Sequence, residues 1–326
     1  MQPLPDFELR RASTAEQAVA WLAAEPRARL VAGGTDLLPN LRRGLDAPPL
    51  LVDLSALTDL CALDWHADGS LRLGAGVTLA TLACDARIAE RLPALADAAN
   101  AAAGPGHRSA ATLGGNLCQD TRCVFYNQSE WWRAANRYCL KRGGDTCHVA
   151  PQGQRCHAAF SGDLAPVLLA LQAEVDLLSA RGARRLPLHA LYRDDGAAHL
   201  TLARDELLTG VHLPTPAPGQ RCALRKARVR GAMDFALAAV AVALALDDGR
   251  IASLAVGLSG TNSHPLRLDG TDALIGQPVD EALLAALGKL VAKQVNPMRS
   301  TVTASNYRRQ VASVTTQRLL RELAVA

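Results

Sequence analysis

The sequence predicts an α+β fold in two parts, residues 1–218 and 219–326. Three observations carry this. Short strand and helix signals alternate over the first part. The run Pro214-Thr215-Pro216-Ala217-Pro218-Gly219 reads as a linker. Three strand signals and then two amphipathic helices fill the rest. A chain of 326 residues has room for about two domains of ~150 residues each.

Each element has a local reason. The pattern Ser13-Thr14-Ala15-Glu16 looks like a capping box opening a helix over 15–24, which ends before Pro26. Arg29 to Ala32 is a short apolar strand stopped by Gly33-Gly34, followed by a helical segment from Asp36 to Arg43 and a buried strand from Leu50 to Leu54. Residues 65–75 form a hairpin about Asp68-Gly69. Thr78 to Ala103 is helix-rich and interrupted by Pro93, and tight turns follow at Gly104-Pro105-Gly106 and Gly114-Gly115. Leu164 to Leu178 runs from helix into strand, and Leu207 to Leu213 is one more strand. Beyond the linker, 223–230, 238–246 and 251–258 form an antiparallel meander turning at Asp247-Asp248-Gly249. Helices over 280–294 and 304–323 close the chain.

Composition excludes several function classes. Hydrophobic residues are 49% and charged residues 20%, the balance of a folded chain, not a disordered one. The longest charge-free apolar run, Phe235 to Leu246, is twelve residues, short of the ~20 a membrane-spanning helix needs. Asp6, Glu8, Arg10 and Arg11 precede any apolar stretch, so no signal peptide is expected and the predicted compartment is cytoplasmic, where thiols stay reduced. The net charge is +4, with 14 basic and 8 acidic residues from Arg221 onward. These are dispersed and accompany no DNA-binding motif, so no nucleic-acid partner is expected.

Two glycine turns are candidate anion cradles. Ala32-Gly33-Gly34-Thr35-Asp36-Leu37 joins an apolar strand to a helix start, and Thr112-Leu113-Gly114-Gly115-Asn116-Leu117 lies about eighty residues later. Glycines let backbone N–H groups converge on phosphate oxygens. The plain alternative for the first is a strand–turn–helix with Asp36 as cap. Neither is the G-x-G-x-x-G or the G-x-x-x-x-G-K-[ST] fingerprint.

The cysteines are crowded. Cys118, Cys123, Cys139, Cys147 and Cys156 fall within 39 residues, and six of the twelve aromatics (Phe125, Tyr126, Trp131, Trp132, Tyr138, Phe160) lie in the same neighbourhood. The spacing C-x15-C-x7-C-x8-C from Cys123 to Cys156 matches neither zinc knuckles nor the compact ferredoxin runs. Spacing alone leaves three readings open: an iron–sulfur cluster, zinc, or unligated thiols. A cluster would be shielded by Phe125, Tyr126, Trp131 and Trp132, and its charge offset by Arg133, Arg137, Lys141 and Arg142. His148 and His157 each follow a cysteine directly and are candidate ligands or, in preference, hydrogen-bond donors near the site. Cys61, Cys84 and Cys222 are expected as core packing residues.

The two glycine turns, Gly162-Asp163-Leu164-Ala165-Pro166, Glu206-Leu207-Leu208 and Leu224-Arg225-Lys226 together resemble the medium, FAD-binding subunit of the molybdenum hydroxylase (xanthine dehydrogenase/CO dehydrogenase) family. The resemblance covers nearly the whole chain. It implies an FAD-binding domain of the CO dehydrogenase flavoprotein/vanillyl-alcohol oxidase type, then a smaller domain of antiparallel sheet plus helices. It assigns FAD to Ala32, Gly33, Gly34, Thr35, Asp36 and Leu37, and to Thr112, Gly114, Gly115 and Asn116. Asp163 would lie on the adenosine side and Lys226 near the flavin ring. Asn116 and Asp163 stand 47 positions apart, where most of the family has a short loop. This insertion, about 118–160, with Gln119 to Trp132 as its most specific stretch, resembles that of the β subunit of 4-hydroxybenzoyl-CoA reductase. By that resemblance Cys123, Cys139, Cys147 and Cys156 ligate a [4Fe–4S] cluster and Cys118 stays free.

The function so implied is electron transfer from reduced ferredoxin through [4Fe–4S] and FAD to partner subunits. These are a molybdopterin-binding large subunit and a small subunit with two [2Fe–2S] clusters, in a heterohexamer of two heterotrimers. There 4-hydroxybenzoyl-CoA would be dehydroxylated to benzoyl-CoA; no residue of this chain is expected to act on substrate. One alternative keeps the fold and passes electrons from molybdenum to NAD or a quinone. Another is a non-redox scaffold with a zinc-stabilised loop. Because the glycine turns lie outside the insertion, flavin and cluster are expected to be lost independently.

Overall fold

The computed structural model describes residues 3–299 and 303–325. Met1 and Ala326, which the two expected domains include, lie outside them. The architecture is α+β, as expected, with three sheets among the described residues. Strand β1 (Glu8–Arg11) leads into helix α1 (Ala15–Ala24), strand β2 (Arg29–Val31), helix α2 (Leu37–Arg42) and strand β3 (Leu50–Asp53). The three strands pair in parallel, in the order β1-β3-β2. The box that opens α1 sits one residue later than expected. Thr14 Oγ1 accepts from Gln17 N–H at 3.1 Å, while Gln17 Oε1 accepts from Ser13 N–H at 2.8 Å.

The second sheet begins with the hairpin β4 (Leu63–Trp65) and β5 (Leu71–Gly74). Five short helices follow: α3 (Leu79–Cys84), α4 (Ala86–Arg91), α5 (Pro93–Ala101), α6 (Pro105–Ala110) and α7 (Leu113–Leu117). Pro93 breaks the run by starting α5, where its missing N–H costs nothing. The cysteine stretch contains helix α8 (Glu130–Ala135). Then helix α9 (Ala165–Ala170) leads to strands β6 (Glu174–Ser179), β7 (Gly182–Pro187) and β8 (Leu207–Leu213). The sheet order is β4-β5-β8-β6-β7, antiparallel throughout. Sequence patterning misses β1 and β7 because both are exposed edge strands without apolar alternation.

The third sheet holds β9 (Arg221–Ala227), β10 (Ala238–Asp247), β11 (Arg250–Ser259) and β12 (Leu266–Arg267), in the order β12-β11-β10-β9. Helices α10 (Glu281–Gln294) and α11 (Ser305–Val325) cover one face. Strand β10 alternates large and small residues, and the alternation decides its packing. Val240, Val242 and Leu244 join Leu284, Leu287, Leu319 and Leu320 in one core. Ala241 and Ala243 join Val167 and Leu168 of α9 in the core of the first part. Small residues on that face let α9 approach closely: a Cβ on Gly257 of β11 would lie 2.0 Å from the Pro166 carbonyl oxygen. No helix among the described residues is long and apolar enough to cross a membrane.

Candidate functional site

The two glycine turns meet. After β2 the chain turns through Gly33 and Gly34, and Gly34 takes a φ of +69° that favours glycine. A Cβ on Gly33 would lie 1.8 Å from the carbonyl oxygen of Ala110, two residues before Thr112. Only a bare α-carbon fits that approach. In the second turn Thr112 Oγ1 accepts from Gly115 N–H at 3.1 Å, opening α7, while Gly114 packs on Ala75. Ala32 to Leu37 are all half-buried, so this cradle has walls and remains reachable. The first turn keeps its glycine backbone reachable, whereas in the second the N–H groups of Leu113, Gly114, Gly115 and Asn116 donate to Val77 O, Ala75 O, Thr112 Oγ1 and Thr112 O.

The Asp36 side chain makes no capping bond to α2. Its Oδ2 accepts from Asp120 N–H at 2.9 Å, and its Oδ1 pairs with the Arg122 guanidinium. The plain strand–turn–helix holds with Asp36 at the N-cap position of α2, but its carboxylate is taken by the cysteine stretch instead of the helix N–H groups. Asn116 Oδ1 accepts from Leu164 N–H at 3.2 Å and so ties the second turn to the Asp163 segment.

Asp163 and Lys226 touch. Lys226 Nζ lies 2.9 Å from both carboxylate oxygens and donates also to Ala101 O at 2.9 Å. Burial pushes the Asp163 carboxyl up to about 6, and the ammonium offsets only part of that. The resemblance gives these residues to opposite sides of the dinucleotide. In this structure the two side chains form one buried ion pair.

The cysteine stretch is pinched at its base, where Arg122 and Ala159 exchange backbone hydrogen bonds at 2.9 Å. Inside it, Cys123, Cys139, Cys147 and Cys156 are all buried. All four line a single cavity with Phe125, Tyr126, Leu140, Lys141, His148 and Val149. Backbone N–H groups serve the sulfurs: Tyr126 donates to Cys123 Sγ at 3.3 Å and Ala158 to Cys156 Sγ at 3.4 Å, and the N–H groups of Val149, Ala150 and His157 favour the Cys147 thiolate. The Cys147 and Cys156 thiols act on each other, the pairing holding Cys147 below the ordinary thiol range and raising Cys156. The chain reaches Cys139 through Arg137 and Tyr138, at φ +57° and +58°. Gly144 must be bare for the return: a Cβ there would lie 2.8 Å from Arg137 O.

Several expectations about this stretch need correction. Trp131 points outward, 77% exposed, and shields nothing. Phe125 and His148 stack at 5.2 Å and both line the cavity, while Trp132 lies behind Phe125 at 5.7 Å and does not reach it. Of the four expected cations, only Lys141 lines the cavity. Arg133 donates to Arg43 O and Arg142 to Leu45 O, fastening the stretch to the loop after α2, and Arg137 is exposed. His148 does bond locally, 2.5 Å from Tyr138 O, while His157 contributes its backbone N–H. Cys61 and Cys84 are exposed, at the ends of the helical turn 58–61 and of α3, whereas Cys222 packs against the core as expected. Cys118 is half-buried, its thiol pushed up to about 12 by burial.

Sequence reasoning missed a polar network that joins the turn to the cavity. Lys141 Nζ donates to Asp120 Oδ1 at 2.6 Å, Thr121 O at 2.7 Å and Thr121 Oγ1 at 2.6 Å. Asp120 Oδ2 accepts from the Tyr126 hydroxyl at 2.8 Å. Its only sequence signal was an Asp and a Lys flanking the cysteines. Across the domain boundary, Ser263 Oγ donates to Cys156 O at 3.1 Å and Phe160 N–H to Asn262 O at 3.0 Å. Among the described residues, no group of three or more His, Cys, Asp or Glu is placed to hold a metal ion.

Residues 5–216 match the family described as FAD binding domain in molybdopterin dehydrogenase. Residues 223–323 match the CO dehydrogenase flavoprotein C-terminal domain. The xanthine dehydrogenase FAD-binding subunit of Escherichia coli O157:H7 is 28% identical over 319 residues, 97% of this chain and 95% of that one. The aldehyde oxidoreductase FAD-binding subunit PaoB of Escherichia coli K12 is 31% identical over 281 residues, 83% of this chain and 86% of that one. In fold, a chain of the reconstituted CO dehydrogenase from Oligotropha carboxidovorans superposes with a TM-score of 0.82, at 24% identity and 99% coverage of both. These two domain matches, which between them cover most of the chain, identify it as a member of the FAD-binding subunits of the molybdenum hydroxylase family.

Proposed function

We propose that this chain is the electron-transfer subunit of a molybdenum enzyme, binding FAD between its glycine turns and a [4Fe–4S] cluster in its cysteine cavity. Residues 1–218 would form the flavin part and 219–326 the C-terminal part. Ala32 to Leu37 and Thr112 to Asn116 would hold the diphosphate, with Asp163 and Lys226 at one further contact. Cys123, Cys139, Cys147 and Cys156 would be the cluster ligands.

The observation that carries the cluster is four buried cysteines facing one cavity, with backbone N–H groups serving three of the sulfurs. Such N–H groups stabilise thiolate charge, and Phe125, Leu140 and Val149 keep water out. A single ion needs its ligands to converge on one point. A four-iron cluster takes each thiolate at a separate corner. Four thiols lining one cavity suit such a cluster. Bound together, the cluster supplies one-electron exchange and FAD the storage of two electrons.

In the reductive reading, this subunit takes electrons singly from reduced ferredoxin. It delivers them to partner subunits carrying two [2Fe–2S] clusters and molybdopterin, in a heterohexamer of two heterotrimers. There 4-hydroxybenzoyl-CoA loses its phenolic hydroxyl to give benzoyl-CoA. The relatives favour a second reading: they are named as xanthine dehydrogenase and aldehyde oxidoreductase subunits, which suits flow from molybdenum outward to NAD or a quinone.

Anaerobic co-purification with the native partners tests both. One FAD with four irons and acid-labile sulfide per chain, beyond the partners' iron, supports the cofactor set; zinc in a colourless chain would sink it. Turnover of 4-hydroxybenzoyl-CoA with reduced ferredoxin supports the reductive direction. Activity only with NAD or a quinone as acceptor would replace it with the oxidative one.

A further inference from the structure

The turn after β2 and the cysteine cavity are joined by an unbroken line of polar contacts. Asp36 Oδ2 accepts from Asp120 N–H at 2.9 Å, and Asp36 Oδ1 pairs with Arg122. Asp120 holds Lys141 at 2.6 Å and the Tyr126 hydroxyl at 2.8 Å. Lys141 lies 4.4 Å from the Tyr126 ring centroid, and both residues line the cavity. The cations on the line are the buried members, Lys141 7% exposed and Arg122 14%, while the carboxylates of Asp36 and Asp120 are 31% and 26% exposed. Charges alternate along it as Asp36, Arg122, Asp120 and Lys141, so each carboxylate is compensated only while the cysteine stretch keeps its place.

We propose that Asp36 is a positioning residue through which occupancy of the cysteine cavity controls the affinity of the glycine turn for the flavin diphosphate. The proposal rests on the cofactor reading above. Filling the cavity fixes Cys139 and the two left-handed residues before it, and with them Lys141, Asp120 and Arg122. Asp36 is then neutralised, and the turn presents only N–H groups to an anion. Emptying the cavity releases the strained Arg137–Tyr138 corner, and Asp36 loses its partners. A bare carboxylate beside the turn then repels the diphosphate. The two sites, expected to be independent because they are separate in sequence, become one linked system.

The test is a four-member cycle in the assembled complex: wild type, Cys139→Ser, Asp36→Asn and the double variant. After flavin removal, the affinity for added FAD is read by fluorescence quenching, and iron is counted in parallel. Cys139→Ser is expected to lose the cluster and weaken FAD about tenfold, within the usual range of site coupling. In the Asp36→Asn background the same substitution should cost FAD nothing further. Arg122→Gln approaches the contact from the other side and should weaken FAD while iron is kept; it serves as the second probe if Asp36→Asn does not fold. Equal weakening by Cys139→Ser in both backgrounds, or none in either, overturns the proposal. Failure of the underlying reading shows separately, as a wild-type complex lacking FAD or lacking the extra iron.

Discussion

His199 shows how far a residue's chemistry is set by its surroundings. It is 7% exposed, and its ring Nε2 lies 3.0 Å from Gln119 O. Burial first, and Lys141 second, lower it from 6.5 to about 4. The folded protein therefore keeps the ring neutral. Its stabilising contribution is complete above pH 6.5 and is lost as pH falls toward about 4, where the unfolded chain binds the proton first. His199→Gln keeps a hydrogen-bond donor and cannot charge. Its urea midpoint should fall less steeply than that of wild type over that window; equal slopes would assign the acid loss elsewhere. Nothing local marked His199, since its neighbours Gln119 and Lys141 stand 80 and 58 positions away. The glycines were different: Gly33 and Gly34 stood out in the chain because a strand stops there, and their surroundings agree with that signal.

At the scale of elements, most helices and strands were readable because period and punctuation are local. Helix α1 and the meander β9 to β11 have the expected places, while β7 was hidden by its charged, exposed edge. The alternation of β10 shows what periodicity leaves open. It identifies a strand with one large and one small face, but both faces are buried, against different cores. Gly257 on the neighbouring strand is where α9 comes closest, 2.0 Å from a would-be Cβ. Gly257→Ala must push α9 away. It should cost about 1–3 kcal/mol in urea unfolding, as overpacking does. Wild-type stability would mean that α9 is free to move.

Across the whole molecule, the two parts are joined by buried polar groups as well as by apolar faces. Lys226 of β9 reaches Asp163 and Ala101 of the first part, and Ser259 Oγ donates to Gly162 O at 2.9 Å. Lys226→Met leaves the Asp163 carboxyl buried without its cation, and should destabilise flavin-free protein by about 3–5 kcal/mol at pH 7. Adding Asp163→Asn should restore much of that loss, since it removes the orphaned charge. A cost below about 0.5 kcal/mol for the single variant, the size of an ordinary surface change, would show that the pair does not hold the parts together.

By itself the sequence determined the α+β class, the two glycine turns and the crowding of cysteines, because periodicity, glycine and spacing act over a few residues. Only the tertiary structure decided that Asp36 serves the cysteine stretch, that Lys141 alone of the four expected cations meets the cavity, that Trp131 faces outward and that Asp163 touches Lys226. Each depends on partners tens of residues apart, and long-range pairing of charge and burial leaves no period in a chain to read.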